Sequence, residues 1–166
     1  MSDVSSEKAS GQGSLSSIVY KPMGESPVGD QYLRVPLQKT KLVVGHGIEG
    51  DAKGSSGNRQ LNLMTAETVT DLSGEGFQAT PGKLGEQLIV SGLDVDLLSA
   101  GARLQFGKEA VIEIVEPRTG CGKFEKYQGK LRGEAAGRLG MIARVVTGGE
   151  IEIGDLVKIV QGNPAN

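Results

Sequence analysis

The chain has one cysteine, Cys121, and it stands in the run Arg118-Thr119-Gly120-Cys121-Gly122-Lys123-Phe124, between two glycines and two cations. A lone cysteine closes no intrachain disulfide, and no second cysteine or histidine lies near enough in sequence to suggest a structural zinc site. Two uses remain for the sulfur. It is either a small buried apolar group or an accessible thiolate that reacts or binds metal. The flanking glycines leave room for a bulky partner, and Arg118 and Lys123 favour the anionic form of the sulfur.

Two elements must position that thiol. Ala110 to Pro117 alternates apolar and polar residues as a strand does, and ends at a proline that has no N–H to continue a ladder. Gly120 to Tyr127 then reads as a tight turn entering a short helix. Cys121 falls near its N-terminus, where backbone N–H groups and the helix dipole support negative charge.

The rest of the chain is strand-rich. At 166 residues it suits one domain, and 26 glycines with only 4% aromatic residues predict frequent turns and a core of Val, Ile and Leu. Strands and turns are expected over LSSIVY, QYLRVPL, TKLVV, RQLNLM, GEQLIV, GLDVDLLSAGARLQFG and AVIEIVEP, and MIARVVTGGEIEIGDLVKIV reads as two strands joined at Thr147-Gly148-Gly149 and a last strand from Leu156 to Val160. Pro36 limits the second to an edge or a strand end. Thr65 is placed to cap a helix over AETVTDLSGEG, with Glu67 in its first turn and Met64 able to staple to Val69. Residues 1–14 carry almost nothing to bury and read as a disordered tail, 15–162 as the domain and 163–166 as a short C-terminal tail. The expected fold is mainly β: a mostly antiparallel, partly closed β-barrel with one or two short α-helices.

Composition excludes some functions. A formal charge of -2 gives no broad cationic field for nucleic acid or an anionic membrane, so an anionic ligand needs a local site. No stretch is long and apolar enough for a membrane span and the N-terminus has no secretory pattern, so a reduced, cytoplasmic protein is expected.

Five stretches in order, GIEGDAK, NRQLNLM, PGKLGEQLIVSGLDVDLLSAGARLQFG, the Pro117-Arg118-x-x-Cys121 turn and GGEIEIGDLVKIV, resemble a small stand-alone MOSC domain. That module takes its name from the C-terminal part of molybdenum-cofactor sulfurases. The resemblance implies a strand-rich barrel and a role in molybdenum-cofactor or sulfur chemistry. Cys121 would then carry a persulfide or ligate molybdenum, in a sulfurtransferase or a molybdenum-cofactor-dependent activity. The cofactor, molybdopterin, ends in a phosphate, for which Arg59 is the first candidate, followed by Lys53, Arg118 and Lys123. Gly47, Gly50 and Asp51 match the family's Gly-x-x-Gly-Asp turn, with the glycines permissive and Asp51 capping loop N–H groups or orienting Arg59. Glu86 and Gln87 stand where the family usually has Glu-Asn, which places Glu86 near the same cleft.

Two departures shape the functional expectation. Lys53 occupies a position where many members have histidine, which exchanges a titratable group for a fixed cation, while the only histidine, His46, lies five residues before Asp51. The pyridoxal-phosphate desulfurase domain of the larger sulfurases has no room in this chain. Sulfur transfer would need a separate cysteine desulfurase as donor and a metalloenzyme as acceptor. The alternative is a non-catalytic module that holds a cofactor or partner while Cys121 only packs.

Overall fold

The computed structural model describes residues 11–25 and 32–161. Its strands are β1 (Gln12–Tyr20), β2 (Val35–Pro36), β3 (Lys39–Val43), β4 (Gly47–Ile48), β5 (Leu61–Thr65), β6 (Leu88–Ser91), β7 (Arg103–Phe106), β8 (Ala110–Pro117), β9 (Met141–Thr147), β10 (Gly149–Glu152) and β11 (Leu156–Gln161). The α-helices are α1 (Ala66–Gly74) and α2 (Gly122–Gln128), with 3-10 turns at Val95–Leu97 and Arg132–Ala135.

Seven strands in the order β11-β7-β8-β9-β5-β6-β1 form a sheet that closes when β1 pairs again with β11. Closure is therefore complete rather than partial. It removes both exposed edges, and it draws Gln12, Gly13 and Ser14 into β1 opposite Lys158, Val157 and Leu156. The strand thus begins three residues ahead of the expected domain start, while the remainder of the expected N-terminal tail and the C-terminal tail lie outside the described residues. One neighbouring pair, β5 and β6, runs parallel, joined by a crossover through α1; the other barrel pairs are antiparallel.

Alternation along the strands fills the barrel with aliphatic residues, among them Leu15, Leu63, Leu88, Val90, Leu104, Ile112, Ala143 and Val157. A smaller sheet, β10-β3-β4, adds Leu42, Ile48 and Ile151 to this core. Hence MIARVVTGGEIEI is not a hairpin: β10 leaves β9 and pairs with β3 instead. QYLRVPL contributes only the two-residue β2 on β1, as its proline requires.

A second, separate cluster of Met64, Leu72, Phe77, Leu84, Phe124, Ala135 and Leu139 lies under the two helices. Phe77 and Phe124 stack there with centroids 6.2 Å apart. Thr65 precedes α1, but its hydroxyl does not cap the helix. It donates to Leu93 O at 2.9 Å and accepts from Val95 N–H at 2.8 Å, because the buried loop after β6 offers backbone groups with no other partner. Glu67 likewise accepts the Gly92 N–H at 2.9 Å.

Candidate functional site

Strand β8 ends at Pro117, and the Arg118 N–H donates to Gly140 O at 2.9 Å, which anchors the turn that follows. Cys121 is the N-cap residue of α2, in extended backbone, with its side chain exposed. The helix is held from below by Phe124 and at its far end by buried Gln128. The Gln128 carboxamide accepts from Gln78 N–H at 2.7 Å and donates to Gln78 O and Lys83 O. Gly120 is needed for packing rather than for access to the sulfur, since a Cβ there would lie 2.9 Å from Arg132 Cβ. At Gly122 the surroundings are open.

The thiol faces a cleft of about 390 Å³, bordered by Tyr32, Arg34, Lys53, Arg59, Asn62, Gly85, Gln87, Arg118 and Lys123 among others. Among the described residues five cations line it, and no acidic side chain does. Arg118, 9% exposed, forms part of the wall: its Nη1 donates to Leu84 O at 2.6 Å and its guanidinium lies 5.9 Å from the Phe124 ring centroid. Burial pushes its pKa below the ordinary arginine value, and Tyr32, Glu86 and Cys121 oppose that shift. Arg34 is shifted down in the same way, first by burial, and its buried Nε has no hydrogen-bond partner among the described residues.

Two left-handed glycines of the PGKLGE loop seat these arginines. A Cβ on Gly82 would lie 2.5 Å from Arg34 Cβ, and one on Gly85 would lie 2.6 Å from Arg118 Nη2. Each arginine lies across bare backbone that no other residue provides. Glu86 sits beneath them, 1% exposed and outside the cleft lining. Its Oε2 accepts the Gly82 N–H at 2.6 Å, Oε1 is unpartnered, and burial raises its pKa against the pull of the Gly82 bond and the two arginines.

Of the residues singled out by sequence, Cys121, Arg59, Lys53, Arg118 and Lys123 border one cleft. Arg59 is oriented by Glu116 at 3.0 Å, and not by Asp51. Asp51 is fully buried and caps loop backbone: Oδ1 accepts the N–H groups of Lys21 (3.1 Å) and Lys53 (3.0 Å), and Oδ2 accepts from Gln87 Nε2 at 3.3 Å. Gly47 and Gly50 shape the same loop away from the cleft lining. His46 packs its ring against Gly54, whose Cβ would lie 2.4 Å from it, and does not line the cleft.

Among the described residues no group of three His, Cys, Asp or Glu side chains is placed to hold a metal ion. No helix among them is long and apolar enough to cross a membrane.

Residues 28–158 match the MOSC domain family. The chain belongs to that family. The sequence has no significant match among curated proteins. Among solved structures, the MOSC chain is similar in fold to the YUAD protein from Bacillus subtilis, with a TM-score of 0.73, 18% identity and coverage of 89% of this chain and 95% of that one. It is also similar to YiiM from Escherichia coli, with a TM-score of 0.65, 21% identity and coverage of 90% and 70%. YiiM from Geobacillus stearothermophilus gives a TM-score of 0.63 at 19% identity, over 90% and 73% of the two chains.

In this MOSC domain the cleft residues that sequence reasoning passed over are Tyr32, Arg34 and Asn62, and Gln87 reads in the sequence only as a longer amide beside Glu86. Tyr32 and Arg34 lie in a stretch read only as a strand, yet just two of its residues pair. Tyr32 meets Tyr127 edge to face at 4.5 Å and lies 5.1 Å from the Arg34 guanidinium. Gln87 links Asp51 to the Asn62 N–H, at 2.8 Å from its Oε1. The longer amide in place of asparagine spans that distance from the residue just before β6.

Proposed function

We propose that this protein handles molybdenum-cofactor or sulfur chemistry through Cys121, with the cations of the cleft holding the cofactor's phosphate. The observation that carries this reading is one exposed thiol at the edge of a cleft lined by Arg34, Lys53, Arg59, Arg118 and Lys123 and, among the described residues, by no carboxylate. The donor set fits such a group. With a single thiol and, among the described residues, no metal-binding cluster, a metal here must bring ligands of its own, and the buried Nε of Arg34, without a partner among those residues, is a donor available to a polar ligand. Bound, the cofactor would supply the redox-active metal.

The chain's own residues bind and orient. Arg118 is already committed to Leu84 O and lies over the Phe124 ring, so its position is fixed before a ligand enters. Arg59 and the lysines sit further out and supply attraction. Tyr32 offers an aromatic face to a flat ring system. If the sulfur is instead carried as a persulfide, the Cys121 thiolate attacks the outer sulfur of a donor persulfide. The new S–S bond forms on Cys121 as the donor's S–S bond breaks, and the donor leaves as a thiolate.

Mass spectrometry and metal analysis of the full chain, purified without reductant from cells that make the cofactor, test the reading. Pterin with molybdenum, or one extra sulfur atom on Cys121, is expected, and Cys121→Ser should lose the metal or the sulfur. Wild-type protein carrying neither would refute it and leave Cys121 a surface residue.

A further inference from the structure

Asp51 does more than shape a turn. Its Oδ1 binds the backbone N–H groups of both Lys21 and Lys53, and the Ala52 N–H donates to Lys21 O at 2.8 Å, beside an isolated bridge between Pro22 and Asp51. The segment leaving β1 and the loop leaving β4 are thereby stapled together, and their lysines emerge side by side. Lys123, from α2, and Arg34, just ahead of β2, join Lys21, Lys53, Tyr32 and Tyr127 around a narrow slot of about 10 Å³, room for one water, so that an anion would meet the exposed Lys53 and Lys123 at its mouth.

Among the described residues no acidic side chain lines this slot, and Asp51, the carboxylate that builds it, is fully buried with both oxygens engaged. Among the described residues none of the three lysines has a carboxylate partner. Burial, then Arg34, Lys123 and Lys21, push the pKa of Lys53 below the ordinary lysine value. Beyond burial, that shift follows from cations set close to one another around the slot. Like charges held together by a buried carboxylate clamp, with no counter-ion of their own, are a site waiting for an anion.

The slot also adjoins the Cys121 cleft: Tyr32, Arg34, Lys53 and Lys123 border both. We propose that Lys21, Lys53, Lys123 and Arg34 form a second anion subsite next to the first, so that the protein takes a ligand with two adjoining phosphoryl groups, a diphosphate or its ester. A single phosphate on the Arg118 and Arg59 side would leave Lys21 unmatched. This inference rests on reading the cleft as an anion site and does not depend on Cys121.

Calorimetric titration of the full chain with inorganic phosphate and with pyrophosphate, at one fixed ionic strength, decides it. Pyrophosphate should bind at least about tenfold more tightly, the worth of one or two added charge-assisted contacts. Lys21→Gln should abolish that preference while leaving phosphate affinity and the melting temperature of the free protein unchanged, because only the backbone of Lys21 takes part in the Asp51 clamp. Lys21→Arg should restore it, and Cys121→Ser should leave it intact. Equal affinity for the two anions, no binding of pyrophosphate, or a Lys21→Gln variant that retains the preference would overturn the subsite. A chain that prefers pyrophosphate but carries neither molybdenum nor extra sulfur would keep the subsite and refute the reading of Cys121.

Discussion

Replacing Gly85 by alanine tests the proposition that the cleft wall is built on bare backbone. Gly85 has φ 88°, and an added Cβ would stand 2.6 Å from Arg118 Nη2 and 3.2 Å from the Tyr32 ring. The Arg118 atom is not the free end of a mobile chain, since the same guanidinium donates from Nη1 to Leu84 O at 2.6 Å. An L-residue forced into the left-handed region costs about 1–2 kcal/mol. Losing a hydrogen bond made by a charged donor costs about 1.5–3 kcal/mol more. The sum, about 2.5–5 kcal/mol, corresponds to a fall in melting temperature of roughly 5–20 °C for a domain of this size. Circular dichroism melts of wild type and Gly85→Ala measure it directly. Gly122→Ala is the control: nothing lies within 4 Å of its added Cβ and it begins α2, so the melting temperature should hold or rise slightly. A Gly85→Ala melt within two or so degrees of wild type would refute the argument that Arg118 needs that space.

Two further outcomes follow from the same structure. Arg59→Ala removes an ion pair whose side chains are 66% and 51% exposed, so stability should change by less than about 1 kcal/mol, while molybdopterin retained through purification should fall; a large loss of stability with unchanged retention would make Arg59 structural. Asp96 has its pKa raised to about 6, chiefly by burial and then by Asp94. The folded chain therefore keeps a proton on Asp96 that the unfolded chain has already lost, and stability falls as pH rises from the unfolded value of 3.8 through about 6. Asp96→Asn should flatten that slope and stabilise the protein above pH 6 by about 1 kcal/mol after discounting for its half-exposed position, as urea melts across the range would show. A destabilised variant at pH 7 would mean that the charge on Asp96 is held favourably.

Much of the site was legible because it is local in the chain. Cys121, its glycines and its flanking cations occupy a single turn, and the alternation of AVIEIVEP with a terminal proline determines where the strand before that turn stops. Alternating strands and abundant glycine likewise determine a barrel-like, mainly β fold, since such strands bury one face only by curling onto one another. Three matters were left to the tertiary structure. Closure of β1 on β11, and the departure of β10 to pair with β3, depend on register between distant segments, which no local pattern encodes. The competition for Thr65 between its own helix and the backbone of residues 93 and 95 is decided by burial, which only the packed core creates. The second wall of the cleft comes from Tyr32 and Arg34, and the adjoining slot from Lys21, all far from Cys121 in sequence, because a carboxylate at Asp51 and bare backbone at Gly82 and Gly85 give those side chains their places in space.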